Sequence, residues 1–408
     1  MKVGRLPLLL TMLLVGNICL FAQDALITSK PKVDLYGLLK IYLMADSRSG
    51  AVVPPGLLMD DFDNDLNSNP SSTMTAGASM IGLNFTGSNV GWFEAMAKLE
   101  CDFLANTAAD VALRIRHAYI MLNRKNSHSS ILVGQTWHPL FGDIYPRLLH
   151  INDGGCFIPV NRSPMLRYTF HSPKIGFEVA AIYQTSKLAS YGPEGRSRDY
   201  LARNFFPELY FGASYGFGRF RLGIGISWLS LKPRIKAEAD GDEASKSIKV
   251  KERVYASTFM IDGKYQATES LMFQFKSTFG SNTGNSTMPG GYWVRSENSF
   301  NGRRDYSVPV CSATWISIQY NIKRWQFGAF AGYIMTIKNG HISSDTEYYG
   351  TCRNLAGVAE GLLLANYTIG AFSIGAEYLY INARYYNDEI SEACVGNHRL
   401  TVRAAYAF

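Results

Sequence analysis

The sequence predicts an all-β fold, a transmembrane antiparallel β-barrel of about 16 strands with short periplasmic turns and long extracellular loops. Three observations predict it. Apolar and polar residues alternate with a period of two from Val33 to Phe408. The connections between these alternating runs are short and long in turn. Aromatic residues make up 13% of the chain, with 24 Tyr and 23 Phe, whereas charged residues are only 18%, against about 25% in soluble proteins. After residue 23 no stretch reaches the ~18 apolar residues that a spanning helix needs, so strands must do the spanning.

The first element is a leader. "MKVGRLPLLLTMLLVGNICLFAQ" carries Lys2 and Arg5, then an apolar run from Leu6 to Leu20, then Ala22 and Gln23. This is a secretory signal peptide over residues 1–23, with cleavage expected before Asp24. Residues 24–408 are then one domain, the barrel. The first strand, "VDLYGLLKIYLMAD", sets Leu35, Leu39, Ile41 and Leu43 against Asp34, Tyr36, Lys40 and Tyr42. "GWFEAMAKLECDFLA" sets Phe93, Ala95, Ala97, Leu99, Cys101 and Phe103 against Glu94, Lys98, Glu100 and Asp102. "RFRLGIGISWL", "RWQFGAFAGYIMTI" and "AFSIGAEYLY" repeat the pattern. In a barrel the apolar face meets lipid and the polar face lines the interior.

Short turns are expected near Gly87, Arg124, Pro173, Gly218, Ala267, Lys323 and Gly370. Long loops are expected at 46–73, 138–163, 188–204, 232–250, 280–308, 339–354 and 385–397, with a shorter one at 105–110. A soluble sandwich has no reason to sort its loops this way. The count puts both ends of the chain on the periplasmic side, where the last strand pairs with the first and removes both edges. The ending "LTVRAAYAF" places Leu400, Val402, Ala404, Tyr406 and Phe408 on one face, with Phe408 at the lipid interface.

Charge and cysteine content exclude other classes. The leader takes two cations from a formal net charge of +7, which leaves a weakly basic chain with no case for nucleic acid. Cys101, Cys156, Cys311, Cys352 and Cys394 are an odd number and no disulfide scaffold; Cys352 and Cys394 both fall in expected loops, where they either pair or stay free. Asp61, Asp63 and Asp65 in "MDDFDNDLNSNP" have calcium-loop spacing. Leu66 stands where the loop needs Gly, and Ser72 where it needs Glu, so a solvated loop is favoured over a metal site. "GASYG" around Ser214 lies inside an alternating strand and is no nucleophile elbow. The histidines show no H-E-x-x-H spacing, and the reading is not an enzyme, with no cofactor. His117 is read as a lipid-side residue at a subunit interface or in the aromatic girdle.

Parity assigns the lumen charges. Arg114 and Arg116 lie between Leu113 and Ile115, and Arg167 between Leu166 and Tyr168. An arginine on the lipid side costs about 2–4 kcal/mol at the midplane, so these three face inward. Glu94, Lys98, Glu100 and Asp102 line the neighbouring strand, and His171 follows Arg167. These rows either set ion selectivity or brace the wall by pairing.

The ending "LTVRAAYAF" resembles the C-terminal assembly signal of Gram-negative outer-membrane proteins, and "FAQ" resembles leaders common in Bacteroidetes. "LRIRHAYIML" (113–122) and "LVGQTWHPLFGD" (132–143) are similar to DcaP-like porins, which are trimeric 16-stranded outer-membrane channels. The resemblance implies an outer-membrane location in a Gram-negative bacterium and a homotrimer. It implies membrane lipid, lipopolysaccharide and the outer-membrane assembly machinery as partners, and passive diffusion of small hydrophilic solutes. Arg114, Arg116 and Arg167 are expected to line one side of the constriction, with Asp143 or Glu100 across from them, and so to favour small organic anions. The resemblance also implies that residues 138–163 fold into the barrel as a constriction carrying Asp143, Arg147, His150, Asp153 and Arg162. Gly154 and Gly155 are expected to supply a sharp turn there. A barrel with a plugged lumen that serves surface binding or adhesion is the alternative.

Overall fold

A computed structural model describes residues 31–49, 65–104, 112–239, 246–338, 342–343, 345–351, 353–386 and 392–408. The leader, Asp61, Asp63 and Cys352 lie outside the described residues. Strand β1 (Lys32–Asp46) pairs with two successive segments, Ser71–Thr75 and Met80–Val90, which together form β2. The break between them is bridged by a side chain. Ser79 Oγ accepts from the Lys40 amide at 3.0 Å and donates to the Lys40 carbonyl at 3.2 Å.

The wall continues through β3 (Phe93–Asp102), β4 (Arg114–Arg124), β5 (Ser129–Trp137), β6 (Arg162–His171) and β7 (Ile175–Ile182). Then come β8 (Glu208–Phe217), β9 (Phe220–Leu231), β10 (Val254–Gln266), β11 (Leu271–Gly280) and β12 (Val310–Ile322). The last four are β13 (Trp325–Lys338), β14 (Leu355–Ile369), β15 (Phe372–Tyr386) and β16 (Glu392–Ala407). Each is antiparallel to the next, and β1 pairs with β16 from Leu38↔Ala407 to Asp46↔Arg399, so the 16-stranded ring is closed. The expected strand number and closure hold.

Loops sort by end. β8–β9, β12–β13 and β14–β15 are joined by two-residue turns, as the pairs Phe217↔Phe220, Ile322↔Trp325 and Ile369↔Phe372 show. Each begins with a residue in the left-handed region, Gly218, Lys323 or Gly370, which suits the twist of a tight hairpin. At the other end the loops are long and partly folded. Gly290–Glu297 pairs with both Arg304–Ser307 and Tyr348–Thr351 in a small sheet above the rim. Arg304 clamps that sheet, reaching Glu297 and Glu347 at 2.8 Å each.

The exterior is apolar along every strand: Leu35, Leu39 and Ile41 on β1, Ile316 and Ile318 on β12, Leu363 on β14 and Leu400 on β16 are exposed. Such a ring satisfies its backbone internally and offers lipid an apolar belt, so it is a transmembrane barrel. The interior departs from the expected polar lining. Trp315, Phe330, Ile334, Val358, Leu362, Leu364, Leu379 and Ile381 point inward from β12–β15 and are buried. The inner wall is therefore largely apolar over these four strands, where a loop covers it.

His117 also departs from its expected place. A bulge between Glu100 and Cys101 pairs Glu100 with His117 and Cys101 with Ile115. The extra residue turns His117 to the lumen side, where it is buried and its Nδ1 lies 3.0 Å from Thr136 Oγ1.

The seam closes at the periplasmic rim. Gly37 and Phe408 exchange backbone bonds at 2.9 and 3.1 Å, and the Phe408 ring lies where a side chain on residue 37 would stand, 2.2 Å from an ideal Cβ. Gly37→Val and deletion of Phe408 should each lower the folded, heat-modifiable fraction recovered from outer membranes several-fold, while Gly361→Ala, whose Cβ meets nothing, should not.

Candidate functional site

Residues 138–161, between β5 and β6, run inside the barrel. The segment is tethered around most of the circumference. His138 Nε2 lies 3.0 Å from Glu208 Oε1 on β8, and Ser227 and Asn285 donate to the same carboxylate. Lys276 on β11, fully buried, donates to the carbonyls of Leu140 and Phe141 at 3.1 and 2.5 Å and lies 3.4 Å from Asp262. Glu377 on β15 accepts the Leu149 amide at 2.7 Å, and the Tyr42 hydroxyl of β1 donates to the Leu149 carbonyl at 2.8 Å. Arg399 and Thr401 of β16 donate to Asp153 at 2.9 and 3.2 Å. Burial alone would raise the Asp153 carboxyl, but the neighbouring His150 ring, then Glu377 and the Arg399 guanidinium, hold it down at about 2.

Between these tethers the segment presents Ile144, Leu149, Cys156, Phe157 and Ile158 to the apolar sector of the wall. Phe157 meets Phe330 edge to face at 5.8 Å, and its ring fills the space above Gly332. Trp137 stacks on Phe141 at 4.3 Å, and Phe141 on Tyr145 at 5.2 Å. Burying a Phe or Leu side chain stabilises by about 1.5–3 kcal/mol, so this docking is held by apolar area as well as by tethers. Gly154 and Gly155 are not left-handed: they close a 3₁₀ turn over Ile151–Gly154 in right-handed backbone. At Gly154 it is space that matters, since a Cβ there would lie 2.8 Å from Leu148.

The lumen charges separate into paired and unpaired sets. Arg114 grips Asp102 with two bonds of 2.8 and 2.6 Å. Arg116 reaches Glu100 at 2.6 Å and Asp102 at 2.9 Å. Glu100 also accepts from the Tyr36 hydroxyl at 2.7 Å and lies 3.4 Å from Lys98. Arg167 lies 3.3 Å from Glu178 on β7, and Asp143 is 2.5 Å from Arg221 on β9. The structure thus joins Arg114, Arg116 and Glu100 in one wall network, and places Asp143 with Arg221 rather than facing them. Glu94 and His171 are exposed near the periplasmic ends of β3 and β6. Asp65 pairs with Arg48 at 2.7 Å, and no cluster of three metal-ligating side chains occurs among the described residues.

The unpaired set lines an opening of about 670 Å³ between residues 143–151 and the facing wall. Lys40 from β1, Arg147 from the loop, Lys264 from β10 and Arg403 from β16 border it, with Gln274, Gln319, Gln326 and Asn366 between them. Among the described residues Asp143 is the one acid on this border, and Arg221 holds it. Arg403 donates to Asn366 at 2.9 Å, and none of the four cations has a carboxylate within 4.0 Å among the described residues. Of these residues only Asp143 and Arg147 were singled out from the sequence as constriction groups. Lys40 and Lys264 carried the signal too, by parity with Tyr42 and Asp262.

A closed 16-stranded barrel with an apolar belt is an outer-membrane protein fold. No family model matches the chain, and no curated protein matches it either. Solved structures do. The outer-membrane channel DcaP of Acinetobacter baumannii is 17% identical over 93% of this chain and 98% of its own, with a TM-score of 0.67. OmpT of Vibrio cholerae is 15% identical over 94% and 100%, with a TM-score of 0.55. An anion-selective porin from Comamonas acidovorans is 10% identical over 93% and 100%, with a TM-score of 0.53. At these identities the likeness is one of fold: the 16-stranded barrel of bacterial porins.

The docking of residues 138–161 is open to test. Phe157→Ala removes the ring from the inner wall, a change that costs about 3–5 kcal/mol in a packed core. The barrel should stay folded on gels, while single-channel recordings become noisier and trypsin cuts after Arg147 faster than in the native chain.

Proposed function

We propose that the chain is an outer-membrane diffusion channel for small hydrophilic solutes that favours small organic anions. The observation that carries this reading is the opening bordered by Lys40, Arg147, Lys264 and Arg403, whose single acid is already neutralised by Arg221. Unpaired cations raise the local concentration of anions and repel cations. The mechanism is passive: the width left by residues 138–161 sets size exclusion, and the four cations set charge preference. Arg114, Arg116 and Arg167, each held by a carboxylate, act first as wall braces and contribute a weaker field. Two of the similar structures, an outer-membrane channel and an anion-selective porin, fit this reading.

Planar-bilayer recording across a salt gradient tests it. The native channel should give a reversal potential of the anion-selective sign. Lys40→Gln with Lys264→Gln and Arg403→Gln should move that potential to or past zero, and Arg114→Gln with Arg116→Gln and Arg167→Gln should move it less. Absence of conductance steps from correctly folded barrels would replace the channel with a plugged barrel that serves surface binding or adhesion.

The same reading includes a homotrimer, with lipid, lipopolysaccharide and the assembly machinery as its surroundings. Exposed tyrosines and tryptophans stud the belt from Tyr168 to Tyr406, but the large apolar side chains exposed from β1 to β5 among the described residues are non-aromatic except for Phe103 and, in the β2–β3 turn, Trp92. An aromatic girdle belongs at a lipid interface. A sector without one, with Ala95 and Ala97 on its outer face, fits a second copy of the chain. Ala97→Trp should turn a trimer in mild detergent into folded monomers. A native chain that is monomeric by mass would refute the assembly.

A further inference from the structure

A second group of cations sits away from the opening, on the extracellular side of the inward loop. Arg162, the first residue of β6, stacks its guanidinium on the Trp137 ring at 3.7 Å. Phe141 stacks on that ring at 4.3 Å and His117 meets it edge to face at 5.8 Å, so the Trp holds the guanidinium flat and in place. No carboxylate lies within salt-bridge reach of Arg162 among the described residues, and its buried Nε has no hydrogen-bond partner there.

Three more cations stand around it. Arg114 and Arg116 share Asp102. Lys187, from the loop between β7 and β8, donates to the Leu104 carbonyl at 2.7 Å and is exposed. Burial, and then the neighbouring Arg114 and Arg162 charges against the pull of Asp102, push the Lys187 ammonium down to about 8. That direction is what a locally positive site imposes on a lysine. The acids facing the group are Asp102 and Glu100, both engaged by Arg114 and Arg116. Arg162 and Lys187 are left as two positive charges in excess.

We propose that Arg162 and Lys187, backed by Arg114 and Arg116, form a binding subsite for a phosphate group at the extracellular entrance of the lumen. It rests on the channel reading, as a station where a solute is captured before it reaches the opening. Phosphate fits for two reasons. Its charge at pH 7 is about −1.5 to −2, which matches the excess. Its oxygens take charge-assisted bonds from several directions, as a planar guanidinium and a lysine on different elements supply them. Arg162 presents its free edge without first breaking an ion pair, which Arg114 and Arg116 cannot do.

Calorimetric titration of the folded barrel in detergent with inorganic phosphate tests the subsite independently of conductance. Binding should be saturable and one per chain, and Arg162→Gln or Lys187→Gln should each weaken it about tenfold. Lys187 lies on an exposed loop, so its variant keeps the test sound even if Arg162→Gln fails to fold. From pH 7 to pH 9 phosphate itself gains charge while the Lys187 ammonium is lost, so the advantage of the native chain over Lys187→Gln should shrink across that range. Phosphate that does not bind, or that binds equally to both variants, overturns the subsite. Succinate binding as tightly as phosphate overturns the assignment to phosphate. A channel that conducts anions without binding phosphate leaves the diffusion function standing and removes only this site; bound phosphate without conductance does the reverse.

Discussion

Everything in this molecule depends on the backbone ladder between Leu38–Asp46 and Arg399–Ala407. In hydrocarbon an unpaired amide or carbonyl costs several kcal/mol, so a sheet with an edge cannot stay there. Closing the ring removes that cost for all 16 strands at once. It also fixes which side of each strand meets lipid, because a one-residue slip would exchange the two faces along a whole strand. The exterior pattern and the inward direction of wall charges such as Asp102, Arg114, Asp262 and Lys276 follow from this register.

Closure creates a second problem, which is how to fill a ring of this width. The solution is asymmetric. On β12–β15 the inner face carries a large apolar patch, and residues 138–161 cover it. The wall from β3 to β11 is mixed: a smaller apolar cluster around Met165, Ile182, Tyr210 and Met260 lies beside charged groups braced by cross-strand pairs such as Arg114 with Asp102 and Arg167 with Glu178. The opening lies along the border where the loop ends and the polar wall resumes. Its shape is therefore set by how the loop docks, and the docking by Phe157, Leu149 and the Lys276 and Asp153 tethers.

Most of the barrel was legible in the sequence. The period of two, the sorted loops and the closing strand are local patterns, and each survives because lipid selects one face strictly. What was not legible has a common cause. A lumen imposes no such uniform solvent, so apolar residues there follow whatever packs on them. The run "AGVAEGLLLANY" in β14 is apolar on both faces, which is the pattern of a strand covered twice, yet the lipid face alone would account for half of it. His117 was misplaced because a single bulged residue inverts parity after Ile115, and a bulge leaves no mark in composition. Gly154 was legible as a special position but for the wrong reason, since its neighbour Leu148 and not its dihedral angles demands a small residue.

Counting charges by parity could place cations inside but could not say which were free. That distinction decides the electrostatics. A guanidinium 2.6 Å from a carboxylate presents a dipole, whose field falls quickly with distance. An unpaired ammonium or guanidinium keeps its full charge. Against an anion at 4 Å that is worth about 1 kcal/mol in water and about 4 kcal/mol at the effective dielectric constant of a protein surface. The paired residues, most numerous in the sequence, thus stiffen the wall, while Lys40, Arg147, Lys264 and Arg403 hold most of the field along the opening. Tertiary structure separates the two roles: neighbours on adjacent strands find each other within the sheet, and the cations left over are those whose adjacent strands offer glutamine, asparagine or the loop backbone instead.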